Sequence, residues 1–196
     1  TVVARIINWP ARMKEVADFV GLGQPELDLI QATKDVVLER GEEVTAAVYD
    51  HFLEFPESRR FFADEHGHVN EERLTRRKHS LLRWLRGSID FKIDQDYPIR
   101  LLATGIVHSH PPTHRAHLGS TPSRYIIGTI SYIQTAISEI LHRDIPNPVE
   151  AALASEAWNK MLMVQLDILL AGYVVDVPNK PSAGPPDSSL EGLEVD

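Results

Sequence analysis

The 196-residue sequence has no cysteine. Disulfides, thiolate zinc sites, iron–sulfur clusters and cysteine nucleophiles are thereby excluded. It also lacks an excess of positive charge: 20 Lys and Arg stand against 28 Asp and Glu, for a formal net charge of −8. A protein that grips phosphate backbones needs a basic face, so nucleic acid is not an expected partner. Long apolar runs are missing too. The most apolar stretch, MLMVQLDILLAGYVV (161–175), holds Gln165 and Asp167 and is too short and too polar to cross a bilayer. The start, TVVARIINWPARMKEVADF, is interrupted by Asn8, Pro10 and several charges and does not read as a secretory signal. A cytoplasmic setting without membrane contact is expected. The local signatures of nucleotide, hydrolase and metalloprotease chemistry (GxGxxG, P-loop, GxSxG, HExxH) do not occur.

What is present reads at helical period. With 43% apolar and 24% charged residues the chain has the composition of an ordinary globular domain, and its length supports one sizeable core. PELDLIQATKDVVLERG (25–41) opens on Pro25 and carries Gly41 near its end, the punctuation of a helix. EEVTAAVYDHFLEF (42–55) repeats Val44, Val48, Phe52 and Phe55 along one helical face. FPESRRFF (55–62) reads as a short turn-like helix that delivers two aromatics. NEERLTRRKHSLLRWLRG (70–87), DYPIRLLATGIVHSH (96–110), RYIIGTISYIQTAISEILHR (124–143) and a last helix over 147–176 follow. Asn147, Pro148 and Glu150 form a proline-bearing capping box for the last one. No segment alternates at period two. The expected fold is all-α, with roughly six to eight helices. Residues 1–22 are an extension with one short helix from about residue 11, 23–176 the domain, and 177–196 a tail. That tail has four prolines and no core period, and reads as disordered.

Four of the nine histidines fall in HSHPPTHRAH (108–117). His110 and His114 meet half of a zinc spacing, but no second pair stands out and Pro111-Pro112 forbids helical i,i+4 geometry. His114 and His117 read as a solvated loop. His108 ends an apolar helix and reads either as a satisfied core or cap histidine or as a ligand. Gly105, three residues earlier and without a side chain, would let a flat ligand approach the helix closely. The basic run RLTRRKH (73–79) reads as a polar helix face, with cations near an anionic group of a cofactor as the alternative.

These landmarks resemble the protoglobins and the globins of globin-coupled sensors, single-domain haem proteins with a helix ahead of the usual globin set. The resemblance rests on AAVYDHFLEFPESRRFF, LLRWL, TGIVHSH and SRYIIGTISYI in that order, and covers most of residues 11–176. It implies a globin-like fold with an extra N-terminal helix and haem b (iron protoporphyrin IX) as cofactor. His108 falls at the proximal iron ligand and Tyr49 at the distal tyrosine, whose hydroxyl can face a gas ligand. Val48 stands where some protoglobins have a tryptophan, and Leu81 where some have a distal aromatic. Phe62 matches an aromatic packed on the haem. Sensor globins tend to follow the proximal histidine with a basic residue and Ile-Gly; here Ser109-His110-Pro111 follows instead.

The expected function is reversible binding of O2, CO or NO at an iron with one open position. The Thr104 carbonyl is the natural partner for the second nitrogen of His108. Apolar Val48, Leu81, Phe62, Ile126, Ile130 and Ile133 would exclude water. The rival readings are a redox enzyme at the same haem, of the NO dioxygenase or nitrite reductase kind, and a sensor acting through a separate partner. The last two helices carry apolar residues around much of their circumference, more than one core face requires. The resemblance points the same way, to an isologous homodimer through those helices. The other reading is that the helix before residue 22 covers the surplus.

Overall fold

The computed structural model describes residues 7–64, 66–113 and 119–174, and among these the chain forms eight helices. They are α1 (Trp9–Val20), α2 (Gln24–Glu39), α3 (Gly41–Glu54), α4 (Pro56–Arg59), α5 (Glu71–Ser88), α6 (Asp96–Ser109), α7 (Ser123–Asp144) and α8 (Pro148–Ala171). No strand occurs among the described residues, so the all-α expectation holds. His114, His117 and the tail 177–196 lie outside the described residues.

Local chemistry sets most of the boundaries. Asn8, Asn70 and Asn147 each cap a helix by accepting a backbone N–H through Oδ1, from Ala11, Arg73 and Val149 respectively. At α2 the Glu26 carboxylate accepts the Gly23 N–H at 2.9 Å, half of a capping box. The cap of α8 is Asn147 alone. Two boundaries differ from the sequence reading. Gly41 begins α3 instead of closing α2, and a Cβ there would come within 2.4 Å of Leu82 Cδ1 on α5. The last helix stops at Ala171, five residues before its expected end. Beyond it the chain leaves the helical path: the Tyr173 hydroxyl donates to the Thr121 carbonyl at 2.8 Å.

Helix α8 is the centre of the molecule. It packs against α1, α2, α6 and α7, which leaves it buried on most faces. Ala151, Ala154, Trp158, Met161, Leu162, Val164 and Ile168 are all almost completely covered. The covering of α8 by α1 and α2 accounts for most of the surplus apolar surface of the last helix. Its buried polar groups are tied down except Gln165 Oε1, which has no hydrogen-bond partner among the described residues. The Trp158 indole donates to Thr33 Oγ1 at 2.9 Å, and Gln165 Nε2 donates to the Tyr97 hydroxyl at 2.7 Å. Tyr97 in turn donates to the Ser88 carbonyl, so the end of α5 and the start of α6 are both pinned to the middle of α8.

The crossing of α6 on α8 is made by backbone. A Cβ on Gly105 would lie 2.0 Å from the Leu169 carbonyl oxygen, and one on Gly172 would lie 2.6 Å from Ile106 N. Glycine is required at both because there is no room for any side chain. Ser109 Oγ, donating to the Gly172 carbonyl at 2.9 Å, closes the same contact from the other side. Gly105→Ala should therefore lower unfolding stability by about 1–3 kcal/mol in a denaturant titration, since overpacking against backbone cannot relax by a rotamer change. Gly128, in α7, has nothing within 4 Å of its virtual Cβ. Gly128→Ala should be neutral or stabilising by up to about 1 kcal/mol. Equal effects of the two substitutions would contradict the packing described for Gly105.

Candidate functional site

Helices α3, α5, α6 and α7 enclose a cavity of about 350 Å³, within the range of small-molecule and cofactor sites. Eight of the nine residues expected at the site line it: His108, Tyr49, Val48, Phe62, Leu81, Ile126, Ile130 and Ile133. They come from four separate helices and the turn after α4, and only the fold brings them together. Gly105 is the exception. It is spent on the α8 crossing, and its role is to let backbone, not a flat ligand, come close. It still acts on the site, because that crossing fixes α6 one turn before His108.

His108 lies on the last turn of α6, and its Nδ1 is 2.8 Å from the Thr104 carbonyl. A carbonyl only accepts, so Nδ1 carries the proton and the ring's lone pair is on Nε2. That is the tautomer a metal-ligating imidazole needs, with its orientation fixed by an outer hydrogen bond. The His108 carbonyl accepts the Thr121 N–H at 2.8 Å, which ties the helix end to the strand of chain leading into α7. His110 is engaged elsewhere: Ser109 Oγ lies 2.8 Å from its Nδ1.

The wall formed by α3 and the residues after α4 is aromatic. Tyr49 meets Phe62 edge-on at 5.5 Å between centroids, and Phe52 lies 5.9 Å from both. Tyr125 on α7 faces Phe61 at 6.2 Å. Such edge contacts hold flat rings in fixed planes beside a cavity. Phe52, Phe61, Trp84, Val107 and Tyr125 were not singled out from the sequence, although Phe52 lies on the same periodic face as Val48. A second cavity of about 180 Å³ adjoins the first, sharing Val48, Phe52, Tyr125 and Thr129. The small Val48 side chain is part of the boundary between them. At its outer side His51 stacks on Tyr132, with ring centroids 3.8 Å apart.

The polar groups of the main cavity are few. Tyr49 is buried, and desolvation pushes its phenol up to about 12 against the opposing charge of Arg77, so it stays protonated at neutral pH. Its proton goes to the Arg77 carbonyl at 3.0 Å. It can serve a ligand only by leaving that acceptor, a constraint that sequence comparison alone does not reveal. Arg77 itself lines the cavity, and no carboxylate does among the described residues. Nor does any group of three or more His, Cys, Asp or Glu capable of holding a metal ion occur among them. One imidazole in an apolar cavity cannot hold a bare ion. It suits a metal that arrives with most of its ligands in a flat organic frame, and the residues present fit haem in this respect.

The comparisons agree with this geometry. The Protoglobin family model matches residues 10–177, and the chain belongs to the protoglobin family. No curated protein is similar enough to count as a relative. Among solved structures, the fold is similar to the globin domain of a Geobacter sulfurreducens globin-coupled sensor. That match has 20% identity and a TM-score of 0.65, over 82% of this chain and 97% of that one. It is also similar to the ferric globin domain of E. coli DosC, with 11% identity and a TM-score of 0.62, over 82% and 99% of the two chains. The protein is an all-α globin.

Tyr49→Phe should cost about 0.5–1.5 kcal/mol of unfolding stability, because the Arg77 carbonyl loses a buried partner. Unchanged stability would show that the hydroxyl is not committed to that carbonyl.

Proposed function

We propose that the chain is a haem b protein that reversibly binds diatomic gases, with His108 as the proximal ligand. Membership of the protoglobin family supports a haem-binding globin. The single observation that carries the assignment to His108 is its Nδ1–Thr104 carbonyl bond on the wall of the apolar cavity. When bound, the cofactor supplies an iron with one position open to a gas. The chain's part is to hold and shield it. His108 is kept in one tautomer and one orientation. Val48, Phe62, Leu81, Ile126, Ile130 and Ile133 exclude water, which slows oxidation of the iron. Purified protein should show a Soret band that shifts on reduction with dithionite and again on adding CO. His108→Ala should lose stably bound haem, or keep it only with added imidazole, while His110→Ala leaves the spectrum unchanged. Loss in the His110 variant alone would move the ligand by two residues.

We also propose a homodimer through α7 and α8. The support is the apolar surface these helices still expose after α1 and α2 have covered the rest: Ile127 at 47%, Val149 at 65% and Leu153 at 49%. A second copy meeting them about a two-fold axis would cover these residues on both copies. Sedimentation at micromolar concentration should give twice the 22.0 kDa chain mass. A clean monomer would remove the dimer.

A further inference from the structure

Three hydrogen bonds close a loop of chain around the end of α6. The last carbonyls of a helix have no partner inside it, and the His108 carbonyl finds one outside, in the Thr121 N–H at 2.8 Å. The Thr121 carbonyl in turn accepts the Tyr173 hydroxyl at 2.8 Å. Gly172, the residue before Tyr173, accepts Ser109 Oγ at 2.9 Å, and Ser109 follows His108 in the chain. The path therefore runs from His108 through Thr121, Tyr173, Gly172 and Ser109 back to His108. It joins the end of α6, the entry to α7 and the exit of α8. Thr121 lines the main cavity, whereas Tyr173 does not. Burial pushes the Tyr173 phenol up to about 12, so it remains a donor at neutral pH.

We propose that Tyr173 is a positioning residue for His108, holding it through Thr121 from outside the cavity. The inference rests on the haem reading above and adds to it a residue that does not line the site. The Thr104 carbonyl sets the rotation of the imidazole, but it belongs to the same helix and moves with it. The Gly105 crossing holds α6 one turn earlier. The place of the last turn itself depends on the bonds that His108 and Ser109 make to the other two stretches. Tyr173 is a firm anchor for this purpose, because its neighbour Gly172 is packed against the backbone of Gly105 and Ile106. A hydrogen bond from that anchor fixes Thr121, and Thr121 fixes the peptide that follows the imidazole. Outer bonds that restrain a ligand's support steady the ligand's own bond to its metal.

The test combines resonance Raman spectra of the dithionite-reduced haem protein without gas, haem release to an excess of an apo-globin acceptor, and amide hydrogen exchange. In Tyr173→Phe the iron–histidine band should broaden and move to lower wavenumber, because His108 samples more positions. Haem release should quicken about two- to tenfold, the loss of one hydrogen bond. The Thr121 amide should exchange faster. Ser109→Ala opens the same loop at another bond and should move the band in the same direction. Thr33→Val, on α2 and outside the cavity lining, deprives the Trp158 indole of its acceptor and should lower stability without moving the band. An unchanged band and unchanged release in Tyr173→Phe overturn the inference. So does an equal band shift in Thr33→Val, which would make the effect a consequence of lower stability alone. Faster exchange at Thr121 with the band unmoved confines the loop to holding the fold and overturns it too. A parent protein without a Soret band would refute the haem reading itself, an outcome distinct from all of these.

Discussion

The Gly105–Gly172 crossing brings the backbone of α6 onto that of α8 with no side chain between them, and the position of His108 follows from it. A helix held by side-chain packing can slide by fractions of an ångström as rotamers change. One held by backbone contact, with Ser109 Oγ fastened to the Gly172 carbonyl, has far less freedom. His108 lies one turn beyond Gly105, and Thr104, one residue before that glycine, supplies the carbonyl that orients the imidazole. The crossing, the orienting acceptor and the ligand candidate thus occupy five consecutive residues of one helix. The far end of α6 is fixed separately, through Tyr97, Ser88 and Gln165.

Around that fixed imidazole the fold assembles a cavity with mostly apolar walls, with Arg77 among its lining residues. Its apolar part is made by ordinary core residues. Val48, Ile130 and Ile133 are almost wholly buried and belong to the same continuous core as α8. The site is therefore a gap in the core between α3, α5, α6 and α7, and stability and function draw on the same residues. Leaving such a gap costs dispersion contacts unless something flat and apolar fills it. The aromatic ring cluster of Tyr49, Phe52 and Phe62 is suited to that occupant.

How much of this was legible in the sequence depends on the kind of information each residue carries. Helices announced themselves through period and punctuation: Pro148 behind Asn147, Pro25 at the start of α2, and the repeating face of α3 all fall where expected. His108 with its Thr104 partner was legible because both lie on one helix turn, where spacing dictates contact. Gly105 was misread for the opposite reason. A glycine states that something approaches, not what approaches, and here the neighbour is Leu169, distant in sequence. Gly41 against Leu82 is the same case. The direction of the Tyr49 hydroxyl depends on how α3 sits on α5, which no local pattern encodes. Arg77 was hidden among the other cations of its run, since periodicity alone does not tell which one turns inward. The apolar surplus of α8 was real, but its explanation lay mostly in α1 and α2.

The central claim is that one neutral imidazole, His108, oriented through Nδ1 by the Thr104 carbonyl, holds the iron of a bound haem. Resonance Raman spectroscopy of the dithionite-reduced protein without gas reads this bond directly through the iron–histidine stretch. The account predicts a five-coordinate ferrous spectrum with that band at the frequency of a neutral, hydrogen-bonded imidazole, and its disappearance in His108→Ala. A six-coordinate spectrum from two protein ligands, or an iron–histidine band that persists in the His108 variant, would contradict it.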